Sequence, residues 1–434
     1  MKKWIVLILS IICWGCNSEQ EKNKPITHAA DYVEFLTPKD AEERMEQLEQ
    51  EEKFWLSKLT KAPGEYLYLD KLAQIQEALF NFTGDVIHLD QQDSLLQEAM
   101  RSSVGKRKAA YYMALSSIAI KRHDFKKALT YGYQASQYTD EQFGPLMMQF
   151  DAAMELGEYG LAYNILDQNQ RLDDFDYLVR LAKYQDHVGD LDSAIVLVEK
   201  AKGIAGNQKK KLWASVNLGD MYGHAGRLED AYATYLKVLK QDPDYTHALR
   251  GIAWLAYSND DKKDEAERIM KSIKEQTALP DAYLMLAELA EASGNEQGKD
   301  AYLDSFMNES TQAKYTDMYN KYIIEILAKD HEDVERALDI ARREVTNRPT
   351  PATYAQLAWC MVQNGEHKEA LRIAQVYVEN KSHEPEILYQ LGTIYLCNQQ
   401  TDHAIAYLEA CLDASFELGL SKTKEIKQLL QNRS

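Results

Sequence analysis

The chain has 434 residues, of which 68 are Asp or Glu and 50 are Lys or Arg, so its formal net charge at pH 7 is −18. An acidic surface repels the phosphate backbone of nucleic acids, and this balance excludes nucleic acid as an expected partner. The length alone would suggest two or three globular domains, yet no Gly/Ser-rich linker divides the chain.

The first 16 residues, MKKWIVLILSIICWGC, have the pattern of an export signal. Two lysines precede a short apolar run, which is far below the roughly 20 residues that a membrane-spanning helix needs. A small residue, Gly15, and then Cys16 end the run. This arrangement resembles the signal peptide of bacterial lipoproteins, although Cys13 stands where that family favours leucine. The resemblance implies that residues 1–15 are removed and that Cys16 is lipidated.

The segment that follows Cys16 is polar, and it predicts a flexible tether over residues 16–38. Asn17, and not an aspartate, follows the cysteine. By the sorting rule of Gram-negative lipoproteins, the resemblance therefore implies the outer membrane. We expect a chain that is lipid-anchored in the bacterial cell envelope, with either a periplasmic or a surface-facing orientation.

A helical pattern follows over residues 39–61, where apolar residues such as Met45 and Trp55 recur on roughly one face. We predict that this helix packs on the first of several helical hairpins; a helix that lies on the membrane is the alternative. Over residues 69–100, an apolar helix, a Thr-Gly-Asp turn and a second helix predict a degenerate first hairpin. Residues 39–104 are thus expected to form an N-terminal helical region.

The most regular stretch covers residues 213–245 and predicts two short helices joined by a tight turn. Small residues on these helices let the backbones approach, and large ones fill the space between hairpins. The residues that carry the pattern are Leu218, Gly219, Tyr222, Ala231, Tyr235 and Pro243. Their spacing resembles the tetratricopeptide pattern W-x2-L-G-x2-Y, A-x3-F and P, with Ser215 in place of the tryptophan.

The alanine of the second helix recurs along the chain. The recurring residues are Ala128, Ala162, Ala194, Ala231, Ala266, Ala337, Ala370 and Ala404. Most steps are close to the period of about 34 residues that this family has. One step is twice as long and leaves room for a further hairpin, with Gly298 or Lys299 at the small-residue position. In the unit after it, Glu325 falls near a small-residue position of the first helix.

The resemblance implies an all-α fold, a TPR-type α-solenoid of about nine to ten helical hairpins that forms a right-handed superhelix. We expect the repeat array over residues 105–415 and a C-terminal capping helix over residues 416–434, where Lys and Gln give a polar face. Because the core of a solenoid grows lengthwise, one extended domain replaces the two or three that the length suggests.

Catalytic patterns are absent from the sequence, which has no H-E-x-x-H, no G-x-S-x-G and no G-x-x-x-x-G-K-[ST]. We therefore expect no enzymatic activity and no cofactor. One group of polar residues leaves a metal site as an alternative. Asp220 and His224 share a helix face, and His187 takes the same repeat position one hairpin earlier. A solvated groove wall is the simpler interpretation of these three residues.

The family pattern also implies a partner-binding groove on the concave face. Methionine and aromatic side chains on such a surface suit an adaptable peptide or protein ligand, and packing between hairpins is the alternative role for them. The implied groove residues are Met147, Met148, His187, Asp220, His224, Tyr319, Tyr322, Trp359 and Tyr389.

Together these features predict a non-catalytic, membrane-anchored scaffold that binds a protein or peptide partner in the bacterial cell envelope. The alternative is a lipoprotein that captures a glycan, a small molecule or a metal for an uptake system. The fold does not name the ligand, because tetratricopeptide arrays bind many unrelated ligands.

Overall fold

The structure is a computed structural model that describes residues 24–38, 41–101, 103–331 and 333–431. All regular elements within these ranges are helical, which confirms the all-α prediction. The predicted signal peptide and the predicted lipidation site at Cys16 lie outside the described residues. No helix in the described ranges is both long enough and apolar enough to cross a membrane.

Twenty-three α-helices follow one another in the described part of the chain. They are α1 (Ala29–Tyr32), α2 (Ala41–Lys61), α3 (Tyr66–Thr83), α4 (Ile87–Arg101), α5 (Gly105–Lys121), α6 (Phe125–Ser136), α7 (Phe143–Glu155), α8 (Tyr159–Gln168), α9 (Phe175–His187), α10 (Leu191–Gly203), α11 (Gln208–His224), α12 (Leu228–Leu239), α13 (Thr246–Ser258), α14 (Lys263–Gln276), α15 (Asp281–Ala292), α16 (Glu296–Ser310), α17 (Asn320–Lys329), α18 (Val334–Asn347), α19 (Pro351–Gln363), α20 (His367–Tyr377), α21 (Pro385–Cys397), α22 (Thr401–Asp413) and α23 (Ser415–Gln431). Two short 3₁₀ turns also occur, Val33–Phe35 and Ala313–Tyr315.

Helices α3 to α22 pair in sequence as ten hairpins, which we number from hairpin 1 (α3 and α4) to hairpin 10 (α21 and α22). Within each hairpin the two helices pack together, and the second helix packs against the first helix of the next hairpin. One hairpin cannot bury its apolar face alone, whereas this stacking buries a continuous core. The α-solenoid prediction is confirmed, and the ten hairpins of the described residues match the predicted nine to ten.

The recurring alanine is fully buried in every hairpin in which the sequence places it. All eight side chains are 0% exposed: Ala128, Ala162, Ala194, Ala231, Ala266, Ala337, Ala370 and Ala404. In hairpin 7 Lys299 takes this position, and its ammonium group lies 2.6 Å from Asp330 and 3.5 Å from Glu291. Two carboxylates thus neutralise the lysine that replaces the alanine.

Tyr235 shows why the repeat needs small residues on neighbouring first helices. Its ring lies between Gly219 of its own hairpin and Gly251 of the next one. A Cβ atom built on Gly219 would lie 2.5 Å from Cε1 of the ring, and one built on Gly251 would lie 2.6 Å from Cε2. Tyr235 is only 4% exposed, so its ring fills the space that the two glycines leave open.

The array coils so tightly that the turn of one hairpin touches the loop that follows the hairpin five places further along. At the turn of hairpin 1, the amide of Ala278 donates a hydrogen bond to the carbonyl oxygen of Thr83 at 2.7 Å. At the turn of hairpin 2, Arg122 donates to the carbonyl oxygen of Lys314 at 2.6 Å. The turns of hairpins 3 and 4 meet the loops after hairpins 8 and 9 in the same way.

Residues 26–36 pack against hairpins 5 and 6, so the prediction of a flexible tether over residues 16–38 is wrong for this part of it; residues 16–23 lie outside the described residues. Asp260 accepts hydrogen bonds from the amide of Thr27 at 2.8 Å and from its hydroxyl at 2.6 Å. Tyr32 is 0% exposed within the core of these hairpins. The polar composition concealed this attachment because a few side chains, and not a long apolar run, hold the segment.

Helix α2 packs against α3, as predicted for residues 39–61. The side-chain amide of Gln76 donates a hydrogen bond to Glu52 at 2.5 Å, and the ring centroids of Trp55 and Tyr68 are 5.7 Å apart. No residue of α2 is buried. The helix therefore covers the first hairpin without joining its core.

The C-terminal helix α23 differs from the simple capping helix predicted for residues 416–434. It contacts α21 and α22 at the end of the array, and it also contacts α11, α13 and α15 on the inner face. The backbone turns inward at Gly419, which has φ 75° and ψ 177°. Helix α23 lies on the inner face because its apolar and charged side chains meet apolar and oppositely charged groups there.

Candidate partner-binding groove

The inner face of the array forms a concave surface, which we call the groove; α23 partly fills it, and a cavity of about 1500 Å³ remains beside that helix. Helices α9, α11, α13, α15, α17 and α21, each the first helix of its hairpin, supply side chains to its wall, and α23 closes one side. The repeat positions these side chains because successive first helices turn the same face inward. Charged residues that line the groove include Arg250, Asp281, Glu288, Lys321, Glu325 and Glu386.

Four of the nine predicted groove residues line this space. They are His187, Asp220, His224 and Tyr322. Tyr322 is 37% exposed, so a ligand in the groove can reach its ring.

The other five predicted groove residues lie elsewhere, and their placement is corrected. Met147, Tyr319 and Trp359 are 1%, 5% and 7% exposed and belong to the core between hairpins. Met148 packs half-buried against the same core as Met147. Tyr389 is 7% exposed and contacts α23. Packing between hairpins, the alternative role for these side chains, accounts for four of the five.

The three side chains of the alternative metal site are not brought together. Asp220 lies 2.9 Å from Nε2 of His247, and His224 faces Glu417 of α23 at 3.9 Å. His187 packs on a tyrosine ring whose centroid is 3.9 Å away. The described residues contain no group of three or more His, Cys, Asp or Glu side chains that could hold a metal ion.

The first end of α23 is held by two aromatic residues of α13. The indole nitrogen of Trp254 donates a hydrogen bond to the carbonyl oxygen of Phe416 at 2.9 Å. The hydroxyl of Tyr257 accepts one from the amide of Ser421 at 3.3 Å. These contacts fix the backbone on both sides of the bend at Gly419.

The second end of α23 is held by charged and phenolic groups. Tyr389 donates a hydrogen bond to Glu425 at 2.5 Å, and Lys329 lies 3.5 Å from the same carboxylate. Lys422 of α23 lies 3.8 Å from Glu386 of α21. Positive and negative groups of α23 therefore each meet an opposite charge on the groove wall.

A pair of carboxyl groups that hydrogen-bond to each other, Glu325 and Glu386, lies beside this interface. Burial, and then the charge of Glu386, raises the pKa of Glu325. Burial also acts to raise the pKa of Glu386, but the hydrogen bond from Glu325 and the charge of Lys321, 2.8 Å away, outweigh it and lower that pKa. Glu325 accordingly holds the shared proton, and Glu386 carries the negative charge that faces the lysines.

Other carboxyl groups of the groove are also hard to ionise. Burial raises the pKa of Glu288 to about 7, although Tyr257 donates a hydrogen bond to it at 2.9 Å. Burial likewise raises the pKa of Asp186, Glu384 and Glu417 at the rim. The groove thus concentrates acidic groups where water is restricted.

The substitution Glu325→Gln is expected to stabilise the folded chain at pH 8 by on the order of 1 kcal/mol. The folded-state pKa of Glu325 is raised, so its contribution is complete at low pH and is lost as the pH rises through that folded value. Glutamine keeps a hydrogen-bond donor for Glu386 but cannot ionise. Urea unfolding at intervals from pH 5 to pH 9 measures the effect.

The matched control for this prediction is Glu335→Gln, which removes an exposed carboxyl group from α18. Burial lowers the pKa of His123 and His187, and those groups act in the opposite direction at lower pH. The contributions of these two histidines are the same in both variants, so they cancel when the two stability profiles are compared. A profile for Glu325→Gln that runs parallel to wild type at every pH would contradict the assignment of the proton to Glu325.

The role of α23 and the carboxyl pair were missed by reasoning from the sequence. A signal for the pair was present, because Glu325 falls near the position at which Gly219 and Gly392 stand in the regular units. A carboxyl group at a position where two helices approach closely indicates that a polar or charged group lies next to it. For α23 the available signal was Gly419, an isolated glycine inside a helical pattern.

The tetratricopeptide repeat family model matches residues 214–245 and 385–417. These segments overlap hairpins 5 and 10. The chain therefore contains tetratricopeptide repeats. Repeats of this family generally mediate protein–protein interaction. No curated protein matches the chain.

Several solved structures resemble the chain at low identity. Yeast Tom70 is 14% identical, with a TM-score of 0.38, over 94% of this chain and 98% of that one. A tetratricopeptide repeat protein from Parabacteroides merdae is 16% identical, with a TM-score of 0.34, over 59% of this chain and 97% of that one. The human IFIT1 dimer with m7Gppp-AAAA is 14% identical, with a TM-score of 0.44, over 88% and 92%. At these identities and TM-scores the likenesses identify no function.

Proposed function

We propose that this chain is a non-catalytic scaffold, lipid-anchored through Cys16 in the bacterial cell envelope, that binds a segment of a partner protein in its groove. The observation that carries the proposal is that the groove already holds a polypeptide segment, α23, through side chains of hairpins 6, 8 and 10. A surface that binds one helix in this way offers the same donors, acceptors and apolar contacts to another.

The sequence supports the proposed location of the scaffold at the membrane of the cell envelope. Two lysines, a short apolar run and Gly15 precede Cys16, as in bacterial lipoproteins, and Asn17 favours the outer membrane. The packed segment formed by residues 26–36 leaves only a short stretch between Cys16 and the array. The anchor would thus hold the scaffold close to the membrane surface.

The alternative function is capture of a glycan, a small molecule or a metal for an uptake system. The observation that favours it is the cavity of about 1500 Å³ beside α23, which is lined by side chains of both charges. This volume exceeds the roughly 300–1,000 Å³ of typical small-molecule pockets. A segment of polypeptide fits such a space better than a small ligand does.

A crosslinked pull-down of the anchored protein from its native host tests the proposal. We expect one dominant envelope protein, identified by mass spectrometry, and we expect Cys16→Ala to reduce its recovery at least tenfold because the unlipidated chain leaves the membrane. Recovery of no protein partner, with the chain still at the membrane, would contradict the scaffold and favour ligand capture.

Two tyrosine variants locate the binding surface in the same experiment. Tyr322→Ala removes an exposed ring from the groove wall, whereas Tyr163→Ala removes a ring that is 49% exposed on α8, outside the groove. Partner recovery should fall with the first variant and stay at the wild-type level with the second. Equal recovery with both would place the partner on another face.

A further inference from the structure

The interface between α23 and the groove differs from the interfaces between hairpins. Of the 17 residues of α23, only Leu418, Gly419 and Ile426 are buried. In α21, by comparison, most of the 13 residues are buried. Hydrogen bonds, partly exposed ion pairs and the half-buried apolar side chains of Phe416, Leu420, Leu429 and Leu430 hold the rest of α23. The hydrogen bonds and ion pairs are weak enough to be exchanged for equivalent ones. Because so few of its residues are fully buried, α23 is a segment that another polypeptide can replace.

The side chains of α23 that face the wall form a definite pattern. The ring of Phe416 lies against Gly223 of α11, where a Cβ atom would be 2.9 Å from the ring. Six residues later Lys422 meets Glu386, and three residues after that Glu425 meets Lys329 and Tyr389.

An apolar anchor completes this pattern. Ile426, which follows Glu425 directly, is 0% exposed. Lys422, Glu425 and Ile426 are spaced at i, i+3 and i+4, so they share one face of the helix. The groove wall therefore meets α23 through an aromatic residue before the bend at Gly419, and through a lysine, a glutamate and an apolar residue on one face of the helix after it.

The bend before this helix depends on a glycine. Gly419 has a positive φ together with an extended ψ, a conformation that residues with a Cβ atom adopt only with strain. A Cβ atom there would also lie 3.1 Å from Trp254 and 3.2 Å from Tyr257. Both the strain and the contacts exist only while α23 lies in the groove. Gly419→Ala is thus a substitution that opposes docking and leaves the hairpins unchanged.

We propose that the groove is a helix-binding site, that α23 is its resident ligand, and that the partner protein contributes a helix with the same pattern, which displaces α23. This proposal rests on the proposed function as a protein-binding scaffold and specifies what the scaffold recognises. The charge arrangement favours this kind of occupant. Without the occupant's lysine, Glu386 would keep only Lys321, 2.8 Å away, and without the occupant's acid, Lys329 would lose the carboxylate that lies 3.5 Å from it. The partner is accordingly an amphipathic helix of mixed charge.

The test uses a fluorescein-labelled synthetic peptide of residues 415–431 and the full chain. Fluorescence anisotropy measures the binding of this peptide to the wild type and to Gly419→Ala. We expect the variant, in which the resident helix is released, to bind the peptide at least tenfold more tightly. Hydrogen exchange should show that residues 415–431 lose protection in the variant while the hairpins keep theirs.

A second peptide, in which the lysine and glutamate corresponding to Lys422 and Glu425 are exchanged, is the matched control for composition and helicity. It should bind Gly419→Ala at least tenfold more weakly than the native peptide. Should Gly419→Ala fail to fold, Lys422→Glu in the full chain releases the same helix by placing two acids together. Equal binding of the two peptides, or no gain in affinity in a folded release variant, would overturn the proposal.

Light scattering distinguishes a second copy of the chain from a foreign helix as the occupant. A concentration-dependent dimer of the release variant, formed by exchange of α23, would overturn the assignment to a partner protein. The peptide experiment is independent of the pull-down. If the pull-down recovers no partner but the peptide binds, only the proposal of an envelope partner is rejected. If the pull-down recovers a partner but the peptide does not bind, only the proposal that the groove binds a helix is rejected.

Discussion

The substitution Tyr235→Ala should lower the free energy of unfolding by about 4 kcal/mol, as is typical for the loss of a large, buried aromatic side chain. The ring fills the space between α11 and α13, and its hydroxyl donates a hydrogen bond to Asp220 at 2.7 Å. Its removal leaves a cavity between hairpins 5 and 6 that two rigid helices cannot close. Urea unfolding monitored by circular dichroism measures the change.

Gly251 supplies a sharper test of the same packing. In the wild type, Gly251→Ala should destabilise the chain because its new Cβ atom would contact the ring of Tyr235. In the Tyr235→Ala background that contact is gone, and the same substitution should stabilise α13 by about 1 kcal/mol through the higher helix propensity of alanine. An effect of the same sign in both backgrounds would contradict the packing of the ring against Gly251.

Tyr163→Ala is the control for the loss of a tyrosine as such. Its side chain is 49% exposed on α8, so the free energy of unfolding should change by less than about 1 kcal/mol. A loss as large as that of Tyr235→Ala would show that exposure does not govern these effects.

The second large effect is expected at the turn of hairpin 1, where Gly84→Ala should destabilise the chain by about 3 kcal/mol. Gly84 has φ +70°, and a Cβ atom there would lie 2.9 Å from Cγ of Leu279 and would overlap the hydroxyl of Thr277. That loop cannot move away freely, because the amide of Ala278 is bonded to the carbonyl oxygen of Thr83. The cost thus combines backbone strain with a steric clash between distant hairpins.

Gly365→Ala separates these two causes. Gly365 follows α19 in the turn of hairpin 9 with φ +79°, but a Cβ atom there would meet nothing within 4 Å. This substitution should cost only the strain of a left-handed alanine, about 1 kcal/mol. The comparison uses thermal unfolding of the two variants under one set of conditions, and equal losses of stability would argue against the contact between the turn and the distant loop.

The fold could be predicted from the sequence because its signals are local and repeat. The buried alanines and the motif in hairpin 5 each report a contact between helices that are adjacent in the chain. The attachment of residues 26–36 could not be predicted in this way. It depends on contacts such as those of Thr27 with Asp260 and of Tyr32 with Glu265, each between residues 233 positions apart in sequence, and no periodic pattern connects them.

Which side chains line the groove could be predicted only in part, for a related reason. His187, Asp220, His224 and Tyr322 were found because the repeat fixes which face of a first helix turns inward. The same rule misplaced Trp359, since a large aromatic residue at that position packs into the neighbouring hairpin. How strongly the array coils, and so which hairpins face each other across the groove, arises from many small packing angles. A single repeat does not encode it.

The contacts between turns and distant loops also affect how this chain folds and unfolds. In an open array each repeat touches only its neighbours, so the ends can fray one hairpin at a time. Here Thr83 and Thr277 meet across 194 residues of sequence. Contacts of that length raise the contact order, slow folding and join hairpins five places apart into one cooperative unit. The chain should therefore melt as a globular domain does, despite its repetitive sequence.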